Sequence, residues 1–285
     1  DRSVSRGLGD VYKRQAQTTP AVLFRMKKIA VIGAGNIGSA IAASLMGHGD
    51  RVVCSDAFQS SLDRIKTQLP DIETTLSNVE AVTDADMIVL AVKPFVVDGL
   101  IEEILDHIKP DTLIISVVAT LPIKDLREKL NAEEKDLQVI KVVPNIAIMY
   151  NKSVTFLCAG PRVPQEKLEE VEEIFNRSGK AFVVNEYDLP ACTALASCGI
   201  AYFLRFIHAA AEGCVEFGLK PSFATTVAAH TAIGAAALLS TGSHPETEID
   251  KVTTPGGITI KGLNALEENG FTKAVISAIR ASCLQ

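Results

Sequence analysis

The chain of 285 residues lacks the short cysteine and histidine spacings that build metal sites. Its six cysteines form no Cys-x-x-Cys pair, and its five histidines show neither a His-x-His nor a His-Glu-x-x-His spacing. These absences argue against a metal site and, in a chain of this length, against a disulfide framework. Reduced thiols in a cytoplasmic protein are the simplest interpretation.

Basic character and long apolar runs are also scarce. The net charge is −6 and no basic patch stands out, so we expect no nucleic-acid partner. The most apolar run, residues 224–239, is interrupted by Thr225, Thr226, His230 and Thr231. It is shorter than the roughly 20 apolar residues of a membrane span, so we predict a buried or interface helix and no membrane partner.

Residues 1–25 do not fit the pattern of the rest of the chain. They carry several basic residues but no continuous apolar core, so they fail as a secretory signal. Met26 stands directly before the first predicted strand. We interpret residues 1–25 as a non-native or unstructured leader, a scar of upstream translation or cloning; a transit peptide is the alternative.

From Lys28 onward, short apolar runs alternate with amphipathic helical patterns. This alternation is typical of an α/β fold with a Rossmann-type doubly wound parallel sheet. After about residue 188 it gives way to Ala-rich helices, predicted at 191–217, 221–240 and 259 to the end. We therefore predict a dinucleotide-binding domain over 26–187 and an all-helical domain over 188–285. The strands are predicted at 28–32, 51–54, 87–92, 112–117, 138–142, 153–158 and 181–184, with helices at 37–46, 59–68, 96–108, 123–130 and 164–177.

A glycine-rich turn separates the first predicted strand from the first helix, with the spacing G-x-G-x-x-G. Gly33 would make the tight turn, Gly35 would let a pyrophosphate approach the backbone, and Gly38 would allow close helix–strand packing. Free amides and the helix dipole favour the pyrophosphate at this helix N-terminus. The predicted dinucleotide-binding residues are Gly33, Ala34, Gly35, Asn36, Ile37 and Gly38.

Asp56 follows Gly35 by about 20 residues, near the end of the second strand. A carboxylate there would bind a ribose 2′-hydroxyl and repel a 2′-phosphate, so the cofactor expected is NAD(P)H with a weak preference for NADH. Alternatively, Asp56 caps the next helix, and Ser55 or Arg64 reaches a phosphate.

A second glycine-rich segment lies close to the C-terminus, in Thr254-Pro255-Gly256-Gly257. Its two glycines let backbone amides approach a ligand, and the helix that follows points its positive end at the same place. The segment therefore predicts a site for a small carboxylate with hydroxyl donors beside it. The alternative is a glycine-rich turn before an ordinary helix.

Over residues 26–285 the chain resembles the pyrroline-5-carboxylate reductase family. The resemblance is strongest at the glycine-rich turn and in the segment 252–263, and Val143-Pro144-Asn145 resembles the family's Met-Pro-Asn. One departure is that the family's Ser-Gly-Ser-Gly-Pro-Ala-Tyr appears here as Ala-Ser-Cys-Gly-Ile-Ala-Tyr, residues 196–202.

The resemblance implies hydride transfer from NAD(P)H to the cyclic imine 1-pyrroline-5-carboxylate, giving L-proline in the last step of proline biosynthesis. It also implies a homodimer or higher homo-oligomer, with residues 188–285 as the substrate and dimerisation domain. Small residues in the helices suit such an interface, but close packing within one subunit explains them equally well.

The family pattern assigns roles to further residues. Thr259 is the catalytic residue that the resemblance implies. We expect its hydroxyl to hydrogen-bond the imine nitrogen rather than to donate a proton outright, because an alcohol is too weak an acid for full proton transfer. The alternative role of Thr259 is a helix N-cap. Glu186 matches a substrate-site position, or is an exposed hinge residue. Lys93 lines the cofactor, or is a surface lysine before a turn. The substrate residues implied are Thr254, Gly256, Gly257, Thr259 and Glu186, and the further cofactor residues are Asn78, Ala91, Val92, Lys93, Pro94, Val118 and Ala119.

Two other functions share this architecture. The β-hydroxyacid dehydrogenases need a lysine base in a Gly-x-x-Gly-x-Gly segment, whereas the helix from Ala191 has no lysine before Lys220. A non-catalytic dinucleotide-sensing regulator of the same fold is the other alternative. The intact loop at 254–259 argues against a regulator, while the departures around Cys198 support it.

Overall fold

The computed structural model of the protein describes residues 27–46 and 49–283. The interpretation of residues 1–25 as a leader lies outside that part of the chain. Within the described ranges, eight strands form one sheet in the order β3-β2-β1-β4-β5-β6-β7-β8. Their bounds are β1 Lys28–Ile32, β2 Arg51–Ser55, β3 Glu73–Thr75, β4 Met87–Leu90, β5 Leu113–Ser116, β6 Gln138–Pro144, β7 Ser153–Ala159 and β8 Gly179–Val183.

Helices connect most of these strands, and the chain after β8 is helical. The helices between strands are α1 Asn36–Leu45, α2 Gln59–Gln68, α3 Asn78–Val82, α4 Val97–Ile104, α5 Ile123–Lys129 and α6 Gln165–Asn176. The later helices are α7 Leu189–Thr193, α8 Gly199–Glu216, α9 Pro221–Leu238, α10 Pro245–Val252, α11 Ile258–Glu268 and α12 Phe271–Cys283. A π-helical turn, Ala194–Cys198, joins α7 to α8.

The sheet is parallel except at one pair of strands. Strand β7 runs antiparallel to β6, with Val142 opposite Leu157. The connection between these two strands is a single short 3₁₀ turn, Ile146–Tyr150. A connection of this length allows only an antiparallel pair, because a parallel neighbour needs a long crossover. The predicted fold class is confirmed, with this reversal as an addition.

Some elements were not predicted from the sequence. Strand β3 is polar and only partly buried, so it gives no apolar run to detect. Helix α10 lies in a segment that was not predicted to be helical. The single helix predicted from 259 to the end is wrong, since Gly270 ends α11 in the left-handed region (φ 77°). Glycine adopts that conformation without strain, and α12 starts after it.

The core forms two layers, one on each face of the sheet. Along β1, Ala30 and Ile32 pack into one layer, while Ile29 and Val31 pack into the other. Helices cover both faces of this predominantly parallel sheet, which is why its central strands are continuously apolar.

The C-terminal helices present a very different surface. In α9 only Ala224 is buried, and α11 and α12 have no buried residue among those described. Large apolar side chains such as Phe203, Phe217 and Ile233 are exposed. The stretches Glu186–Glu216 and Pro221–Thr241 are long and apolar enough to cross a membrane by length and composition. The prediction that the run at 224–239 is too short for a membrane span is therefore wrong by length and composition. Two such helices are still weak evidence for a membrane, because the core helix of a soluble protein passes the same test.

The two fully enclosed thiols provide a test of the sheet packing. Burial raises the pKa of Cys54 and of Cys158 to about 12. At pH 8 fewer than about one in a thousand of these thiols is ionised, and the thiolate is the reactive form. We expect iodoacetamide to leave both unmodified in the native protein and to alkylate both in denaturant, as measured by mass spectrometry. Rapid alkylation of either thiol in the native protein would contradict the described packing.

Candidate active site

The glycine-rich turn is folded tightly against the end of β4. Gly33 has φ 105°, and a Cβ there would lie 2.6 Å from the carbonyl oxygen of Ala91. Its N–H donates to the carbonyl of Ser55 at 2.8 Å, which ties the turn to β2. A residue other than glycine would therefore be both strained and obstructed at this position.

The other two glycines of the turn have different surroundings. A Cβ on Gly38 would lie 1.9 Å from the carbonyl oxygen of Gly33, whereas a Cβ on Gly35 would meet nothing within 4 Å. Gly35 is also the N-cap residue of α1 and has no side-chain cap. The first amides of α1 thus face an open space where an anion can approach.

Asp56 is bonded to this same turn. One carboxylate oxygen accepts from the N–H of Ala34 at 2.8 Å, and the other accepts from the N–H of Phe58 at 2.9 Å. Phe58 is the N-cap residue of α2, so Asp56 supports the start of that helix as well. Arg64 donates to the carbonyl of Ala34 at 2.7 Å. A carboxylate and a guanidinium therefore both bond the backbone of Ala34, where the adenosine ribose of a dinucleotide is expected.

Asn78 lies next to this group, at the first position of α3. Its side-chain oxygen accepts from Ser55 Oγ at 2.8 Å, and its Nδ2 donates to Glu103 at 2.9 Å. The predicted cofactor residue thus joins the end of β2 to α4.

The carboxyl ends of β1, β4 and β5 lie side by side, and the order of strands reverses between β1 and β4. Such a switch point is where open α/β sheets bind ligands. After β4, Ala91 and Val92 are half-buried, whereas Lys93 and Pro94 are exposed. After β5 the chain passes through Val118, which is buried, to Ala119, which is exposed. The structure thus brings the predicted cofactor residues to one edge of the sheet.

The second glycine-rich segment is an exposed turn at the start of α11. Gly256 has φ 71°, and the N–H of Gly257 donates to the carbonyl of Thr254 at 2.9 Å. Gly257, not Thr259, is the N-cap residue of α11. The alternative role of Thr259 as a helix cap is therefore wrong: Thr259 lies in the first turn, with its side chain exposed.

The two glycine-rich regions are not joined within one chain. Among the described residues, no hydrogen bond connects the loop at 254–259 to the sheet domain, and α11 packs on α12. One copy of the chain therefore presents the loop and the sheet edge separately.

Glu186 lies at the junction between the sheet and the helices. Its carboxylate accepts from the N–H of Ile123 at 2.9 Å and pairs with Lys141 Nζ at 3.4 Å. Asn145 makes a second contact across this junction, because its Nδ2 donates to the carbonyl of Ala196 at 3.0 Å. Asn145 is not among the site residues predicted from the sequence. The signal was present in the motif Val143-Pro144-Asn145, but the motif alone does not reveal what the asparagine contacts.

Comparison with known proteins matches both halves of this arrangement. Residues 186–285 match the family model for pyrroline-5-carboxylate reductase dimerisation, and residues 28–120 match that for NADP oxidoreductase, coenzyme F420-dependent. Pyrroline-5-carboxylate reductase of Methanosarcina acetivorans is 34% identical over 90% of this chain and 96% of its own length. The chain belongs to the pyrroline-5-carboxylate reductase family.

Two further members of the reductase family show how far the similarity extends. Pyrroline-5-carboxylate reductase 1 of Dictyostelium discoideum is 38% identical over 89% of this chain, and the match spans 48% of that relative's length. The crystal structure of Plasmodium falciparum pyrroline carboxylate reductase with NADP bound has a TM-score of 0.77 at 25% identity. It covers 91% of this chain and 97% of its own.

Two residues of the glycine-rich turn, Gly35 and Gly38, give a paired prediction. Gly35→Ala has room for its methyl group, so we expect the protein to fold with a nearly unchanged melting temperature. It should bind NAD(P)H at least about ten-fold more weakly, because the pyrophosphate can no longer approach the backbone. Gly38→Ala collides with backbone and should not yield stable protein. Thermal melting and nicotinamide-fluorescence titration measure both effects. Unchanged cofactor affinity in Gly35→Ala would refute the assigned role.

Proposed function

We propose that this chain reduces 1-pyrroline-5-carboxylate to L-proline with a hydride from NAD(P)H. The observation that carries the proposal is the presence of two separate binding elements in one chain of the reductase family. One is the uncapped helix start at the glycine-rich turn, and the other is the exposed loop 254–259 with its own uncapped helix. A cofactor-only regulator has no use for the second element.

The loop fits the carboxylate of the substrate. Gly257 caps α11 without a side chain, so the first amides of that helix stay available to an anion. The positive end of the α11 dipole adds to this attraction. We assign the backbone of Gly256 and Gly257 to the carboxylate, with the Thr254 hydroxyl beside it.

Thr259 is placed to act on the imine itself. Its hydroxyl projects from the first turn of α11, next to the amides that hold the carboxylate. A hydrogen bond from this hydroxyl to the imine nitrogen would orient the ring and polarise the carbon–nitrogen bond. NAD(P)H supplies the hydride when bound, and the protein contributes the mutual positioning of the two reactants.

Glu186 is the least direct member of the proposed substrate site. It is already engaged by Ile123 and Lys141, so we assign it to holding the junction beside the substrate.

For the cofactor we propose contacts from the glycine-rich turn, residues 33–38, and from the sheet edge. Asn78 and the segment Ala91, Val92, Lys93 and Pro94 would contact one part of the dinucleotide, and Val118 and Ala119 would lie at the nicotinamide. The carboxylate of Asp56, fixed beside the turn, supports a weak preference for NADH. Arg64 beside it, and the NADP bound in the Plasmodium falciparum relative, keep NADPH as the competing cofactor.

We further propose that the chain works as a homodimer or larger homo-oligomer. Exposed apolar side chains on α8 and α9, among them Phe203 and Ile233, need a covering surface in water. A second copy would provide that cover and would allow the loop of one subunit to meet the sheet edge of the other. The division into a domain at 26–187 and a helical substrate and dimerisation domain at 188–285 belongs to this proposal. So does a cytoplasmic location, which the six free cysteines suit.

The direct test is a spectrophotometric assay of protein that starts at Met26. NADH and NADPH oxidation are followed separately with pyrroline-5-carboxylate, and proline is measured as the product. We expect cofactor oxidation that depends on the imine and matches the proline formed. If both cofactors bind and neither is oxidised, the reductase proposal fails and the dinucleotide-sensing regulator takes its place.

The role of Thr259 predicts a specific kinetic defect. Thr259→Ala removes the hydroxyl donor and should lower kcat by about a hundred-fold, while the Kd for NAD(P)H stays unchanged. Thr259→Ser keeps the donor and should recover most of the activity. Equal kcat in the Ala and Ser variants would show that the hydroxyl has no part in the reaction.

Asp56 predicts the direction of a change in cofactor choice. Asp56→Asn removes the charge that repels a 2′-phosphate, so the ratio of kcat/KM for NADPH to that for NADH should rise about ten-fold, or about 1.4 kcal/mol. Asp63→Asn is the matched control, because Asp63 is an exposed aspartate in α2 whose carboxylate accepts a hydrogen bond from Gln59 in the same helix. A ratio that is the same in both variants would rule out Asp56 as the selector.

A further inference from the structure

Two polar side chains, one on β6 and one directly after it, reach the junction with the helices. Val139, Lys141 and Val143 alternate along β6, so they point to the same side, and Asn145 is the first residue after the strand. Lys141 pairs with Glu186, the first residue of the helical stretch, at 3.4 Å. Asn145 Nδ2 donates to the carbonyl of Ala196 at 3.0 Å.

The two contacts are separated by similar distances along the strand and along the helical stretch. Lys141 and Asn145 are four residues apart on extended backbone, or about 13 Å. Glu186 and Ala196 are ten residues apart on a helical stretch, or about 15 Å. Between them Leu189 is buried in the core layer on this face of the sheet. The start of the helical domain therefore lies along β6 and is held at both ends.

The contact at Asn145 requires an amide. The residue is 5% exposed, and its Oδ1 accepts from the N–H of Ala147 at 3.1 Å. Its Nδ2 faces the carbonyl of Ala196, which can only accept. A carboxylate would set oxygen against oxygen here, and an apolar side chain would leave both backbone groups without this partner.

The carbonyl that Asn145 holds belongs to the π-helical turn Ala194–Cys198, in which the N–H of Gly199 reaches back to Ala194. A π turn amounts to one extra residue in an α-helix, so it rotates everything after it by about 100° relative to a regular helix. The direction of α8 is therefore set at this turn.

The π turn also connects to the substrate loop. Helix α12 packs on α7 and on the π turn, and Tyr202 in α8 hydrogen-bonds Ser282 in α12. Helix α11, which begins at the loop, packs in turn on α12. Packed contacts thus run without interruption from the carboxyl end of β6 to the loop that carries Thr259.

We propose that Asn145 is a positioning residue for hydride transfer. Through Ala196 it sets the orientation of the helical domain relative to the sheet edge, and so the placement of the imine against the nicotinamide. The inference rests on the proposed reductase function. If Asn145 is lost, the cofactor still binds, but the two reactants meet in a less productive geometry.

The test compares Asn145→Asp and Asn145→Ala with Ser153→Ala in the full-length enzyme. Ser153 is the matched control, since its Oγ accepts from the N–H of Asn145 at 3.2 Å and it is 1% exposed. Its loss disturbs the same buried strand end but leaves the bond to Ala196 in place. The readouts are melting temperature, cofactor Kd, kcat, KM for the imine, and the isotope effect on kcat with deuterated NAD(P)H.

We expect both Asn145 variants to lose about ten- to a hundred-fold in kcat, with a larger isotope effect and a cofactor Kd within about two-fold of the parent enzyme. Ser153→Ala should melt at a lower temperature yet keep kcat within about two-fold. If Asn145→Asp does not fold, Asn145→Ala decides the question, since water can enter the gap that the smaller side chain leaves.

Two results would overturn the inference, provided that the parent enzyme reduces the imine. One is a kcat for Asn145→Ala within two-fold of the parent. The other is an equal loss of kcat in Ser153→Ala, which would reduce Asn145 to a structural role. A parent enzyme with no activity refutes the proposed function instead, so the two failures are distinguishable.

Discussion

The close approach of the β1–α1 turn to the end of β4 is the constraint on which the proposed nucleotide site depends. Gly33 and Gly38 leave no room for a side chain, so backbone packs on backbone where three strands converge. The N–H of Ala91 also donates to the carbonyl of Ile32 at 2.8 Å, which locks β4 to the same point. With the strand ends fixed in this way, Asp56, Asn78 and the segment after Ala91 lie at the same edge of the sheet.

The helices after β8 are stabilised in a different way. Its long helices bury few of their own apolar side chains, so their stability in water depends on a covering surface. A homo-oligomer that supplies this cover would also join the exposed loop at Thr259 to a sheet edge. In this proposal assembly and catalysis share one cause: the sheet would hold the cofactor, and the exposed helices would need a second copy to bring the substrate loop to it. The contacts of Lys141 and Asn145 hold the start of the helical stretch against the sheet.

Features that depend on local pattern could be predicted from the sequence. The buried apolar runs located seven of the eight strands, and the strand–glycine–helix context identified the turn at Gly33. Features that depend on distant partners could not. Strand β3 carries no apolar signal and is defined by its pairing with β2. The π turn at Ala194–Cys198 is contacted by Asn145, which is about 50 residues away in the sequence, and no local spacing encodes that contact. The unusual sequence at residues 196–202 marked the place without revealing its geometry.

The most direct test of the central claim follows the hydride itself. The enzyme is incubated with pyrroline-5-carboxylate and NAD(P)H that carries deuterium at the transferable position, and the proline is analysed by mass spectrometry. We expect one deuterium per proline, at the ring carbon that was the imine carbon, with an equal amount of cofactor oxidised. Proline without deuterium, or cofactor that binds and is oxidised without proline being formed, would contradict the proposed hydride transfer.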